Sequence, residues 1–156
     1  QTPQDPYHCL AGLVRKLFDE TFKSMNDEGH KEFIKAWRIF EMPSTWNRLQ
    51  NPITHCDSYW MNDSLRLTMI MPYILARGIK YKHYKIETIN RIKNEYPLGN
   101  RTQVPSVIIS CWTKMAKACK IVFKSSYIVI DTHDDYVFLK KVLDQVTEIL
   151  LKVKIN

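Results

Sequence analysis

Apolar residues recur along most of this chain at helical spacing. Leu10, Leu13, Val14, Leu17, Phe18, Phe22 and Met25 follow the i, i+3, i+4, i+7 rhythm of one buried helix face. Asp5-Pro6 supplies a start signal ahead of them, an N-cap carboxylate followed by proline in the first turn. Asn26-Asp27-Glu28-Gly29 breaks the run. A second helix is predicted over His30 to Glu41, with Phe33, Ile34, Trp37 and Phe40 on one face and Pro43 as its stop. Residues 42–62 show no clear period. Trp46, Leu49, Ile53, Tyr59 and Trp60 nevertheless make this stretch too apolar for a free linker, so it is expected to pack down on the helices.

Asn62-Asp63-Ser64 offers the next N-cap. From Leu65 to Leu75 the pattern is apolar nearly all round, which predicts a buried helix with a kink or fresh turn at Pro72 and a stop at Gly78. A basic helix is predicted over Lys80 to Tyr96, with Ile86, Ile89 and Ile92 among its apolar contacts. Pro97-Leu98-Gly99-Asn100 reads as a turn, and Val104-Pro105-Ser106 opens the clearest amphipathic helix. Ile108, Cys111, Trp112, Met115, Cys119 and Val122 share one face of it, and Lys114, Lys117, Lys120 and Lys124 the other. A last helix is predicted from Asp134 to Lys152, where Leu139, Val142, Val146, Ile149 and Val153 alternate at spacings of 3 and 4, a seam like that of a coiled coil. The pattern predicts an all-α fold, a single compact domain of five to seven helices over residues 1–156 with a long packed loop at 42–62. Its core is expected to include Leu13, Leu17, Phe18, Trp37, Ile70, Ile74, Trp112, Met115, Val142 and Val146.

Size and composition agree with this reading. A chain of 156 residues buries roughly two-thirds of the surface its unfolded form exposes, so it needs neither disulfides nor metal to fold. Its four cysteines are too few for a disulfide scaffold. Cys111 and Cys119 sit about 12 Å apart along one predicted helix, too far to bridge. Reduced cysteines and the lack of a signal-peptide pattern suggest an intracellular protein. The start at Gln1 and the apolar rhythm carried to the end suggest a piece of a longer one. No membrane span is expected, because Asp63, Arg66 and Arg77 interrupt the most apolar stretch.

Charge changes the picture more. The net charge is +7, but residues 77–124 hold eleven basic and two acidic residues, a local excess of +9. The rest of the chain is close to neutral. Lys80, Lys82 and Lys85 alternate with Tyr81, His83 and Tyr84, and the lysine stripe from Lys114 to Lys124 follows. Lysines along a helix face neutralise phosphates without reading bases, and interleaved tyrosines can stack on single-stranded bases. Candidate nucleic-acid contacts are therefore Lys80, Lys82, Lys85, Lys114, Lys117, Lys120 and Lys124. A solvated helix face, or a surface for an acidic protein partner, would carry the same charges.

Candidate chemistry is thinner. The β-branched run Tyr127-Ile128-Val129-Ile130-Asp131, with Asp134 and Asp135 after it, resembles the first metal-binding strand of ribonuclease-H-like nucleases. Only 25 residues follow Asp131 and they read as one helix, so these carboxylates fit an N-cap better. His8-Cys9 and His55-Cys56 are adjacent pairs, whereas zinc sites draw on ligands two to four residues apart. No signature of a catalytic cysteine and no glycine-rich phosphate cradle is present. The sequence thus offers no catalytic constellation, and no cofactor or metal is expected.

Residues 61–151 carry a resemblance. Met61-Asn62-Asp63-Ser64 through Met71-Pro72-Tyr73-Ile74-Leu75-Ala76-Arg77-Gly78, then Val104-Pro105-Ser106 through Cys119, then Asp134 through Leu151 resemble, in order and spacing, the helical region that follows the catalytic core of CACTA-type and related fungal DNA transposon proteins. The Lys80 to Gln103 stretch departs from that pattern as an insertion. The family's acidic triad lies upstream of this region, so the resemblance carries over no catalytic residue. It implies a non-catalytic helical segment that positions nucleic acid, DNA or RNA, or other domains of a parent protein, in an intracellular and here nuclear setting. The alternative is a helical protein-interaction module that uses the apolar seam at 139–153.

Overall fold

The computed structural model describes residues 6–96 and 100–122, together with Val137, Lys140, Lys141, Asp144, Gln145 and Glu148. Among these residues the chain is all-α. Its helices are α1 (Pro6–Lys23), α2 (Asp27–Ile39), the one-turn α3 (Pro52–His55), α4 (Met61–Gly78), α5 (Ile86–Glu95) and α6 (Val104–Val122). Short 3-10 turns at Cys56–Ser58, Tyr81–His83 and Arg101–Gln103 join them. The carboxylates of Asp131 to Asp135, the seam from Leu139 to Val153, and Lys124 lie outside the described residues.

The buried helix faces follow the predicted periodicity. α4 is central and packs on α6, α1 and α2. It buries Leu67, Ile70, Met71, Ile74 and Leu75 against Leu17 and Phe18 of α1, Phe33 and Trp37 of α2, and Trp112 and Met115 of α6. Each such side chain contributes about 1.5–3 kcal/mol by leaving water. Leu13 is partly buried at the margin, and Val142 and Val146 lie outside the described residues. The Trp112 indole N–H, wholly buried, donates to the Thr21 hydroxyl at 3.0 Å, and that hydroxyl donates to the Leu17 carbonyl at 2.7 Å. One polar group is thus satisfied on α1, and α6 is fixed in register against it.

Five expectations need correction. Asn26-Asp27-Glu28-Gly29 is a helix start rather than a gap: the Asn26 side chain accepts the Gly29 N–H at 2.9 Å as an N-cap, and α2 begins at Asp27. α2 stops at Ile39, ahead of Pro43, because the Arg48 guanidinium donates to the terminal carbonyls of Trp37 and Arg38 at 3.3 and 2.6 Å. The 42–62 loop does pack, through Leu49, Trp46, Ile53 and Tyr59, but it contains α3 and a 3-10 turn, and Trp60 is 81% exposed. α4 runs unbroken through Pro72 and is not buried all round: Met69 and Tyr73 face out.

The fifth correction lies at 80–85, where the predicted basic helix does not form. Tyr81–His83 make a single 3-10 turn, and α5 starts only at Ile86, whose side chain is exposed while Ile89 and Ile92 are buried. The backbone here is committed elsewhere. The Asn26 N–H donates to the His83 carbonyl at 3.0 Å, and the Lys85 N–H donates to the Ser24 carbonyl at 2.9 Å, forming an antiparallel bridge between Met25 and Tyr84. The Asn26 side-chain amide donates to the Lys82 carbonyl at 2.8 Å. Gly29 makes the approach possible, since a Cβ on it would lie 2.2 Å from the His83 carbonyl oxygen. Gly78 does the same between α4 and α2, where a Cβ would meet that of Ala36 at 2.7 Å.

The two kinds of glycine give opposite expectations. Gly29→Ala should lower stability by about 1–3 kcal/mol through overpacking. Gly12→Ala, in exposed helix with no atom within 4 Å of the new Cβ, should raise it by about 0.5–1 kcal/mol. Urea unfolding of the two variants beside the parent chain measures both. A neutral Gly29→Ala would contradict the close approach.

Candidate nucleic-acid interface

α6 brings three of the predicted lysines together. At about 100° per residue, Lys114, Lys117 and Lys120 fall within an arc of about 120° and span about 9 Å along the axis. Lys117 and Lys120 are exposed and Lys114 is half-buried on the flank of the stripe. The opposite face carries the buried Ile108, Cys111, Trp112, Met115 and Cys119, so packing against α4 fixes the direction of the lysines. α6 contains no Asp or Glu. Among the described residues the cations held in ion pairs include Arg15, Lys23, Lys35, Arg66 and Lys82, all on other elements. Among the described residues no acid pairs with the α6 lysines, and Lys117 and Lys120 face solvent.

The second predicted group divides. Lys80 and Lys85 are exposed. Lys82 is also exposed, but its ammonium lies 2.6 Å from a Glu28 carboxylate oxygen. That hydrogen bond and the Lys82 charge hold the Glu28 carboxyl below its ordinary value, and Glu28 in turn holds Lys82 above its own. His83 is buried. Its Nδ1 accepts the Lys80 N–H at 3.1 Å, so in the neutral ring Nε2 carries the proton and faces Glu28 at 3.5 Å. Tyr84 is only 2% exposed, and burial pushes its phenol above the ordinary range. Of the two tyrosines read as possible base-stacking partners, Tyr84 is thus committed to the interior, and Tyr81 is on the surface.

Glu28 is the residue the sequence reading missed. It is 54 positions from Lys82 in the chain. The available signal was local: an N-cap Asn followed by two acids marks a helix start, and would have placed Glu28 in a first turn facing outward. The groove beside it, about 490 Å³, is lined by Glu28, Glu32, Lys35, Arg77, Lys80 and Lys82 and so mixes both signs of charge.

Burial raises the thiol pKa of Cys56 to about 11 and of Cys111 to about 12, and moves Cys119 in the same direction. Thiols of this kind are poor nucleophiles at neutral pH. Among the described residues no group of His, Cys, Asp and Glu side chains is placed to hold a metal ion, and no helix is long and apolar enough to cross a membrane. Compared with protein-family models, curated proteins and solved structures, the chain matches none.

The Glu28–Lys82 pair gives a direct expectation. Glu28→Gln frees the Lys82 ammonium and adds one unit of positive charge at this edge. If Lys82 lies in a phosphate-binding face, duplex DNA affinity should rise and the slope of log affinity against log salt should steepen by about one. An unchanged slope in a salt titration would place Lys82 outside the interface.

Proposed function

We propose that this chain is a non-catalytic helical segment of a transposon-derived protein that positions nucleic acid through the basic face of α6. The observation that carries the reading is the set of lysines on α6, Lys114, Lys117 and Lys120, held on one arc of a helix without a single acid and in no ion pair among the described residues. Lys124 continues the same stripe in sequence. Lys80 and Lys85 extend the positive charge from the linker ahead of α5. The order of segments shared with the helical region of CACTA-type transposon proteins supports the same reading.

The mechanism is electrostatic. Point-charge ammonium groups at successive turns sit against backbone phosphates and displace condensed counter-ions. Such contacts fix orientation on the strand and leave base identity unread. Binding of this kind is weak in specificity, strong at low salt and steeply lost as salt rises.

The test is a salt titration of duplex DNA binding. Lys114→Ala/Lys117→Ala/Lys120→Ala should weaken binding uniformly across sequences and reduce the salt slope by about three. Replacing the same residues with Glu should abolish binding, and helix content by circular dichroism should stay as in the parent chain because none of the three belongs to the buried core. An unchanged slope and affinity in both variants would end this reading.

A further inference from the structure

The outward face of α4 carries a second, differently built surface. Its core-facing side is buried on α1, α2 and α6, yet Arg66, Met69, Tyr73 and Arg77 fall within an arc of about 80° on the remaining side. Tyr73 is 66% exposed, and Trp60, immediately before the helix, is among the most exposed large side chains of the protein. The strip runs the length of the 18-residue helix, about 27 Å. A cavity of about 410 Å³ lies at its start, where Trp60 and Arg66 share a wall with Arg48. The groove that Arg77 and Lys80 line lies at its end, with exposed Tyr81 just beyond.

The chemistry of the strip selects its partner. From Trp60 to Lys85 the chain holds five cations and one acid, Asp63. That acid is already engaged: it accepts the Trp60 backbone N–H at 3.2 Å and lies 4.0 Å from Arg66. Arg66 is held by that acid and lies over the Trp46 ring at 5.5 Å, and Lys82 is held by Glu28, so the strip's open groups are the exposed rings of Trp60, Tyr73 and Tyr81 and the cations Arg77, Lys80 and Lys85. A duplex cannot use the rings, because its bases are stacked inside. A single strand can, by laying bases on Trp and Tyr while its phosphates meet the cations. An apolar protein partner would have to desolvate Arg77 and Lys80 together with Glu28 and Glu32, which share their groove.

We infer that the α4 strip, from Trp60 through Tyr73 to Arg77 and Lys80, binds single-stranded nucleic acid by base stacking, apart from the phosphate-binding face of α6. The inference deepens the proposed function by naming a strand class, but it uses other residues and can stand or fall by itself.

The probe is a short oligothymidylate, about ten nucleotides long and so within the range such sites occupy, beside a duplex of mixed sequence. Trp60→Ala and Tyr73→Ala should each weaken oligothymidylate binding by about tenfold and leave duplex affinity unchanged, and Trp60→Phe should restore most of the loss. Both side chains are exposed, so unfolding temperatures should match the parent chain. Unchanged oligothymidylate affinity in both alanine variants would overturn the inference. So would equal losses for single strand and duplex, or a dimer in sedimentation that Tyr73→Ala converts to monomer, which would make the strip a protein interface. The α6 alanine triple variant separates the two readings. If it keeps duplex affinity while the α4 variants lose the single strand, the α6 face falls and the α4 strip stands. If it loses duplex affinity while the α4 variants change nothing, the reverse holds.

Discussion

The arrangement of the described helices depends on one short polar contact. At the α1–α2 junction, Ser24 and Asn26 exchange backbone hydrogen bonds with the linker that joins α4 to α5, and the Asn26 side chain adds one bond in each direction, to the Lys82 carbonyl and from the Gly29 N–H. Thr88, on α5, donates to the same Ser24 carbonyl at 3.3 Å. Hydrophobic burial alone would let two helical hairpins slide and rotate against each other, because apolar attraction is non-directional. Directional bonds between buried backbone groups set one alignment. Ser24, Met25, His83 and Tyr84 are buried around this point and shield its backbone bonds, while the Asn26–Lys82 bond lies at the exposed edge.

That contact also decides which charges face outward. By holding residues 80–85 against α2, it turns Tyr84 and His83 inward and leaves the lysines between and beside them on the surface. It brings Lys82 to Glu28, which neutralises one cation, and leaves Lys80 beside Arg77. The α6 lysines owe their direction to a different anchor, the apolar face that runs from Ile108 to Cys119 against α4. Two surfaces with different chemistry follow from these two anchors: a plain lysine face on α6, and a strip on α4 where cations and exposed rings alternate.

Much of the fold was legible because helical periodicity is written in side-chain order, and α1, α2, α4 and α6 each show it over three or more turns. Asn26 to Gly29 and Lys80 to Lys85 look, respectively, like a break and like a basic helix when each is read by itself. Asn26 to Gly29 carried a local N-cap signal, whereas Lys80 to Lys85 are held by residues 24–26, and contacts across more than fifty residues leave no local trace. α4 was read as buried all round because Met69 and Tyr73 are apolar by type, and type does not report that three neighbouring helices leave one side of α4 open. At the candidate interface the lysines were legible as charge. Their pairing state was not, since it depends on where Glu28 lies in space.

The contact between residues 24–26 and 82–85 also orders the birth of the molecule. A chain leaves the ribosome N-terminus first, so α1 and α2 emerge with the Asn26 N–H, the Ser24 carbonyl and the Asn26 side-chain amide facing water. They stay so until Lys85 has been made. The Trp112–Thr21 bond spans 91 residues against 56 for Asn26–Lys82, and loop-closure entropy grows so slowly with length that the longer loop costs only about 0.4 kcal/mol more. Timing rather than entropy separates the two closures. The α1–α2 pair is thus unfinished until residue 85 has been made, and its surface at that stage is one the folded chain never shows.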